Sequence, residues 1–237
     1  MQTSLNVHHA CTTHVSTHDE NVNVKTSSIV RIATHSVCGL STRTKQTRAL
    51  DDMDKYSLDI CCLQEVKVRQ LTDREDGKHR TILIPGRDKQ LGHHYGMGFI
   101  IGIGISHRLK IKSYVYVTDR IATAEIELSP GRTLIIINVY APTQARADKY
   151  EAETDQFYQD LTRQLKMHDS KNITTIVAGD FNAKVGQRGE GEECMGLFTR
   201  GRRNNNGQRL VEFCENYNLT VANSLFKHRA CHTTTWE

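Results

Sequence analysis

Asp180 and Asn182 stand two residues apart, just after an apolar, β-branched run from Ile173 to Gly179. In an extended chain, residues two apart face the same side, so this carboxylate and amide would share one space at a strand's C-terminal end. Open α/β sheets place their ligand sites just beyond that end. The same residue types also make Asx turns, in which Asp and Asn only bond nearby backbone. The pair alone does not choose between the two readings. A second apolar run, Leu58 to Leu63, likewise ends in polar groups, Gln64 and Glu65. One apolar strand ending in a carboxylate is common; two in one chain begin to look like a site. A third run, Thr133 to Val139, delivers Tyr140 before Pro142 stops regular structure.

Positioning these groups requires strands with helices between them. Ile29 to Val37 reads as a first strand and Ser41 to Tyr56 as an amphipathic helix, with Leu50 and Met53 at helical spacing. Leu58 to Glu65 reads as a buried strand of the kind found in parallel or sandwich cores. Short strands are expected at 81–84, 96–105, 111–117 and 121–128, in meander fashion. The glycines at 96, 98, 102 and 104 lack a following helix start and a Lys-Ser/Thr, so they read as close sheet packing or bulges rather than a nucleotide loop. Tyr114 and Tyr116 could stack on bases, but tyrosine is common in strands. Arg120 could meet phosphate or serve as a solvated turn cation. A long helix over Asp148 to Met167 precedes the Ile173 strand, with Tyr150, Phe157, Leu161 and Leu165 for its buried stripe. Gln187 to Arg203 reads as a loop carrying a small basic cluster, Arg200, Arg202 and Arg203. A helix over Asn206 to Asn216 and strands at Leu219–Ala222 and from His232 onward complete the pattern.

The chain has 237 residues, enough for one large domain with a sizeable core. Its 31 lysines and arginines against 27 acids give a net charge of +4, which permits an anionic substrate without requiring one. Low proline and 38% hydrophobic residues argue for a folded body. The seven cysteines show no paired spacing, and Cys61-Cys62 sits within an apolar run. Buried, reduced thiols and a nuclear or cytoplasmic setting are expected, not secretion. No apolar run is long enough to span a membrane. Residues 1–28 are rich in Thr, Ser, Asn and His without sustained period. Their histidines fit no zinc spacing, so a disordered leader is expected.

Taken in order, Arg31–Val37, Leu63-Gln64-Glu65, Asn138–Thr143, Gly179–Ala183 and Thr234-Thr235-Trp236 resemble the motif series of the endonuclease/exonuclease/phosphatase superfamily. The wording is most similar to the endonuclease domains of non-LTR retrotransposons, and Asn138–Thr143 favours that branch over phosphatases of inositol phosphates or lipids. The resemblance implies an α/β four-layer sandwich, two mixed β-sheets packed face to face with helices outside. It implies a phosphodiesterase that cuts DNA with Mg²⁺, or Mn²⁺, a hard cation taking oxygen ligands and neutralising phosphate charge. By that resemblance Glu65 binds the metal, with Ser36 at the position of a second metal-site group. Tyr140 contacts phosphate, Asp180 orients or deprotonates the attacking water, and Asn182 steadies phosphate oxygens. Thr143, Trp236 and Arg120 are assigned to the nucleic-acid side of the pocket.

Two departures from the family pattern stand out. His35-Ser36 replaces the family's Trp-Asn, and serine is shorter than the asparagine that helps hold the carboxylate network. His35 reads as a substituted wall residue. The family's closing Ser-Asp-His motif has no counterpart, since no Asp-His dipeptide occurs anywhere in the chain. Residues 29–237 are therefore expected to form an incomplete domain lacking its C-terminal strands, with impaired activity or with a binding role alone.

Overall fold

The structure, a computed structural model, describes residues 10–13, 29–86, 96–103, 109–143 and 147–227. Two β-α-β units organise it, one in each of two sheets. In the first, β2 (Val30–Ser36) leads through α1 (Arg43–Lys55) to β3 (Ile60–Gln64), and β2 and β3 run parallel. In the second, β9 (Arg132–Tyr140) leads through α2 (Ala147–Met167) to β10 (Ile173–Asp180), again parallel. Parallel neighbours need such a crossover, because a tight hairpin can join only antiparallel strands.

The remaining strands are antiparallel additions: β1 (Ala10–Thr13), β4 (Thr72–Glu75), β5 (His79–Pro85), β6 (Gly96–Gly102), β7 (Lys110–Thr118) and β8 (Ile121–Ser129). One sheet has the order β1-β2-β3-β6-β5-β4 and the other β10-β9-β8-β7. α1 is capped by the Thr42 side chain, which accepts from the Lys45 amide, and it buries Ala49 and Met53. α3 (Asn205–Asn216) starts at Asn204, whose side chain accepts from the Gly207 amide.

Side-chain alternation sorts the residues into layers. Ile60 and Cys62 of β3 point inward and join Ile32, Phe99, Leu134 and Ile136 between the sheets. Cys61 and Leu63 point outward onto α1, with Ala49 and Met53. Ile135, Ile137 and Val139 of β9 point outward onto Phe157 and Leu161 of α2 and Phe213 of α3. The result is helix, sheet, sheet, helix, the four-layer α/β sandwich expected from the sequence. Gly98 serves close packing, since a Cβ there would sit 2.5 Å from the Ile82 carbonyl oxygen.

Two expectations need amendment, and one strand goes unforeseen. Ala10–Thr13, within the expected disordered leader, pairs antiparallel with β2. β4, polar throughout, reads as no strand in sequence, yet it forms by pairing with β5 and is tied by Asp73 to Arg80 at 2.9 Å. The expected strand at Leu219–Ala222 is instead a single bridge from Val221 to Met195, followed by a 3-10 turn at Ala222–Ser224. Among the described residues no helix is long and apolar enough to cross a membrane. Cys61 and Cys62 are buried free thiols, and desolvation pushes Cys61 up to about 12.

Candidate active site

The alternation that builds the core also builds the site. Counting inward residues from Ile32, Ile60, Ile136 and Ile176 by twos arrives at Ser36, Gln64, Asn138 with Tyr140, and Asp180. All five therefore end in the space between the sheets, at the C-terminal ends of the parallel strands. The deepest pair is amide to amide. Gln64 Nε2 donates to Asn138 Oδ1 at 2.7 Å, while Asn138 Nδ2 donates to the carbonyls of Leu63 (3.1 Å) and Gly98 (2.9 Å). Thr34 donates to Gln64 Oε1 at 3.0 Å. Both amides have 0% exposure, where an unpartnered polar group would be costly.

Above this pair stand the carboxylates. The Tyr140 hydroxyl donates to Glu65 Oε1 at 2.9 Å, and Lys67 Nζ lies 2.8 Å from Glu65 Oε2. Burial, then the Glu65 and Asp180 charges, push the Tyr140 phenol well above its ordinary value. Tyr140 is thus a neutral hydrogen-bond donor at physiological pH. Arg120 backs it: its guanidinium lies 5.8 Å from the Tyr140 ring centroid, donates to the Tyr140 carbonyl at 3.3 Å and reaches Glu153 at 3.4 Å. Arg120 is therefore packed on protein and is not a solvated turn cation.

Asp180 joins the two readings of its sequence. Its Oδ2 accepts from Ser36 Oγ across the sheets at 2.9 Å, and its Oδ1 accepts from the Asn182 amide, also at 2.9 Å. The second bond is an Asx turn. The alternation that carries Asp180 into the site ends there, because Asn182 has φ 49° and leaves the strand. Asn182 stays beside the site by another route, donating from Nδ2 to the Ala141 carbonyl at 2.8 Å. Gly179 makes the corner possible: it has φ 149°, and a Cβ there would fall 2.0 Å from the Val139 carbonyl oxygen. Glu65 and Lys67 also have positive φ, 54° and 49°. Non-glycine residues in that region cost about 1–3 kcal/mol each and gather at functional sites.

Glu65, Tyr140, Ser36, Asp180 and Asn182 are thus brought together. Thr143 lies exposed just past the strand end, and Trp236 falls outside the described residues. His35, out of phase with Ser36, lines a small cavity with Ala49, Asp52 and Met53 on the α1 side of its sheet, away from the inter-sheet space, so it does not stand as a wall of the site. Sequence reading missed three contributors. Lys67 was signalled only by its two-residue spacing from Glu65. The Gln64–Asn138 pair spans 74 residues, so no local pattern shows it. Asn206, 2% exposed, donates to the carbonyls of Pro142 and Asn182, both at 3.0 Å, and ties the loops after β9 and β10 together.

The donors suit a hard cation in type, all being oxygens. Among the described residues no three His, Cys, Asp or Glu side chains group as a metal cage. Such a set fits Mg²⁺, which keeps several waters and takes one or two carboxylates. Glu65 is the group that would hold it; Ser36 would have to exchange its bond to Asp180 to join.

Comparison with known proteins bears on the fold and the family. Craniofacial development protein 2 of Tragulus javanicus is 28% identical over 188 residues, covering 78% of this chain and 30% of that protein. Its Bos taurus counterpart is 29% identical over 185 residues, covering 78% and 29%. The chain therefore spans under a third of the length of these curated relatives. An AP endonuclease from Archaeoglobus fulgidus superposes with a TM-score of 0.54 at 16% identity, over 79% of this chain and 70% of that one. AP endonuclease LMAP from Leishmania major gives 0.56 at 16% identity, over 80% and 67%. At that identity the likeness is one of fold. The family model described as Endonuclease/Exonuclease/phosphatase family matches residues 21–207, and the chain belongs to that family.

Proposed function

We propose that this chain is a phosphodiesterase of the nuclease type, directed at the DNA backbone and dependent on Mg²⁺ or Mn²⁺, with low turnover as a 237-residue polypeptide. The observation that supports it best is the meeting of Glu65, Tyr140 and Asp180, from separate strands, in one inter-sheet mouth. A bound cation would supply charge neutralisation at the phosphate. Tyr140 offers its proton to an anionic oxygen. Asp180, which accepts from Ser36 and the Asn182 amide, would hold the attacking water or accept its proton. Low turnover is expected because Ser36, shorter than the asparagine of the family pattern, is engaged by its bond to Asp180. The reduced thiols are consistent with a nuclear or cytoplasmic setting.

A second reading, a non-catalytic module that binds nucleic acid or protein, draws on His35-Ser36 in place of the family's Trp-Asn. Plasmid nicking with Mg²⁺, together with Mn²⁺ titration, separates the two. Slow nicking that Asp180→Ala abolishes supports the nuclease. Robust nicking keeps the nuclease and removes the expectation of low turnover. No nicking, and no Mn²⁺ binding that Glu65→Gln weakens, leaves only the binding module.

A further inference from the structure

Four large apolar side chains stand in solvent on two neighbouring loops: Leu197, 78% exposed, Phe198, 45%, Leu225, 43%, and Phe226, 56%. The loops are fastened to each other. The Phe198 amide donates to the Ser224 carbonyl at 3.0 Å, and the Gly196 amide to Ser224 Oγ at 2.7 Å. Ser224 itself is 2% exposed. Beneath them Met195, Cys194, Leu210, Val211 and Cys214 form a core cluster of their own. Single exposed apolar residues are ordinary, but a contiguous, rigidly based group marks a contact surface.

Charge and position narrow the partner. Arg200 and Arg202 are exposed in the same loop, and Lys227 follows Phe226 directly. Arg203 is taken up by Glu192, while among the described residues no ion pair engages Arg200, Arg202 or Lys227. The loop also springs from the site's own corner. Asn204 Oδ1 accepts from the Lys184 amide at 2.9 Å, and Asn204 Nδ2 donates to the Asn182 carbonyl at 3.4 Å. An apolar tip beside unpaired cations is the chemistry by which proteins unstack base steps while arginines meet the flanking phosphates.

We propose that Leu197-Phe198 and Leu225-Phe226 form a wedge that inserts between base steps of duplex DNA, with Arg200 and Arg202 on the adjoining phosphates. The proposal rests on the nucleic-acid reading above and adds how the duplex is gripped and deformed.

The test uses the 237-residue chain and a labelled duplex carrying 2-aminopurine, in EDTA, so that cleavage plays no part. Binding should raise 2-aminopurine fluorescence, the signature of unstacking. Phe198→Ser/Phe226→Ser should bind about tenfold more weakly and lose that rise. Arg200→Ala/Arg202→Ala should reduce the salt slope of binding by about two while keeping the rise at saturation. Leu197→Ser alone, at the most exposed position, provides a variant of minimal folding risk, and thermal melts confirm that each variant is folded. Wild-type affinity in the double-serine variant, or no fluorescence rise in the wild type, overturns the wedge. Loss of a dimer in that variant with duplex binding unchanged also overturns it and assigns the face to a second copy of the chain. Nicking is read separately, so a wedge without cleavage and cleavage without a wedge are distinct results.

Discussion

β3 and β10 look alike in sequence, each an apolar run leading to a carboxylate, yet they occupy opposite situations. Every residue of β3 is buried, and every residue of β10 is half-exposed. β3 lies between β2 and β6, with the other sheet on one face and α1 on the other. β10 is the margin of its sheet, with β9 as its strand neighbour among the described residues. An apolar pattern foretells that a strand forms; it does not say how many neighbours the strand will have. The candidate site draws one carboxylate from each situation, Glu65 from the enclosed centre and Asp180 from the margin.

The contrast should be largest in stability. Leu63→Ala in β3, at 0% exposure, should cost about 2–5 kcal/mol in urea unfolding. Ile176→Ala in β10 should cost less than half as much, because that side chain is partly in water already. Equal losses would mean that β10 is covered in solution.

Next in size is the amide pair beneath Glu65. Gln64→Leu and Asn138→Leu should each cost about 1–3 kcal/mol, since each strands the other's buried groups. The double leucine variant should cost less than the sum, with a coupling of about 1 kcal/mol or more. Simple additivity would show that the two amides do not act as a unit.

At the margin, Ser36→Ala should cost about 1 kcal/mol by removing the bond to Asp180. A loss comparable to that of Gln64→Leu would erase the distinction between centre and margin.

The smallest effect is in the loop beyond β10. Hydrogen bonds from Arg203 hold Glu192 down to about 2, from an ordinary 4.5. A depressed carboxylate adds stability above its unfolded value and loses it as pH falls through the folded one. The stability gap between wild type and Arg203→Met should therefore be constant above about pH 5 and shrink between 4.5 and about 2. A gap that persists at pH 2 would point to packing rather than charge.

Much of the fold could be read from the sequence, because β2, β3 and β6 to β10 carry apolar runs or alternation and α1 to α3 carry helical spacing. β4 could not: Thr72–Glu75 is polar, and only its cross-strand partners on β5 make it a strand. Leu219–Ala222 has strand composition, but only Val221 bridges, to Met195, before the chain tightens into a 3-10 turn. For the site, Glu65, Tyr140 and Asp180 were legible because each ends an apolar run. Their supporters were not. Lys67 lies outside any strand pattern, Asn138 finds Gln64 only through the packing of two sheets, and Arg120 turns inward because Glu153 and the Tyr140 carbonyl receive it.

The Gln64–Asn138 contact also limits how the sandwich can deform. Alkyl contacts between sheets are non-directional and tolerate slippage. Crossed amides are not so forgiving, and a slip of one inward-facing position, about 7 Å, would leave both without partners. The layers therefore resist shearing past one another. The offset between Glu65 and Tyr140 along the strands is thereby pinned, whatever the mouth does.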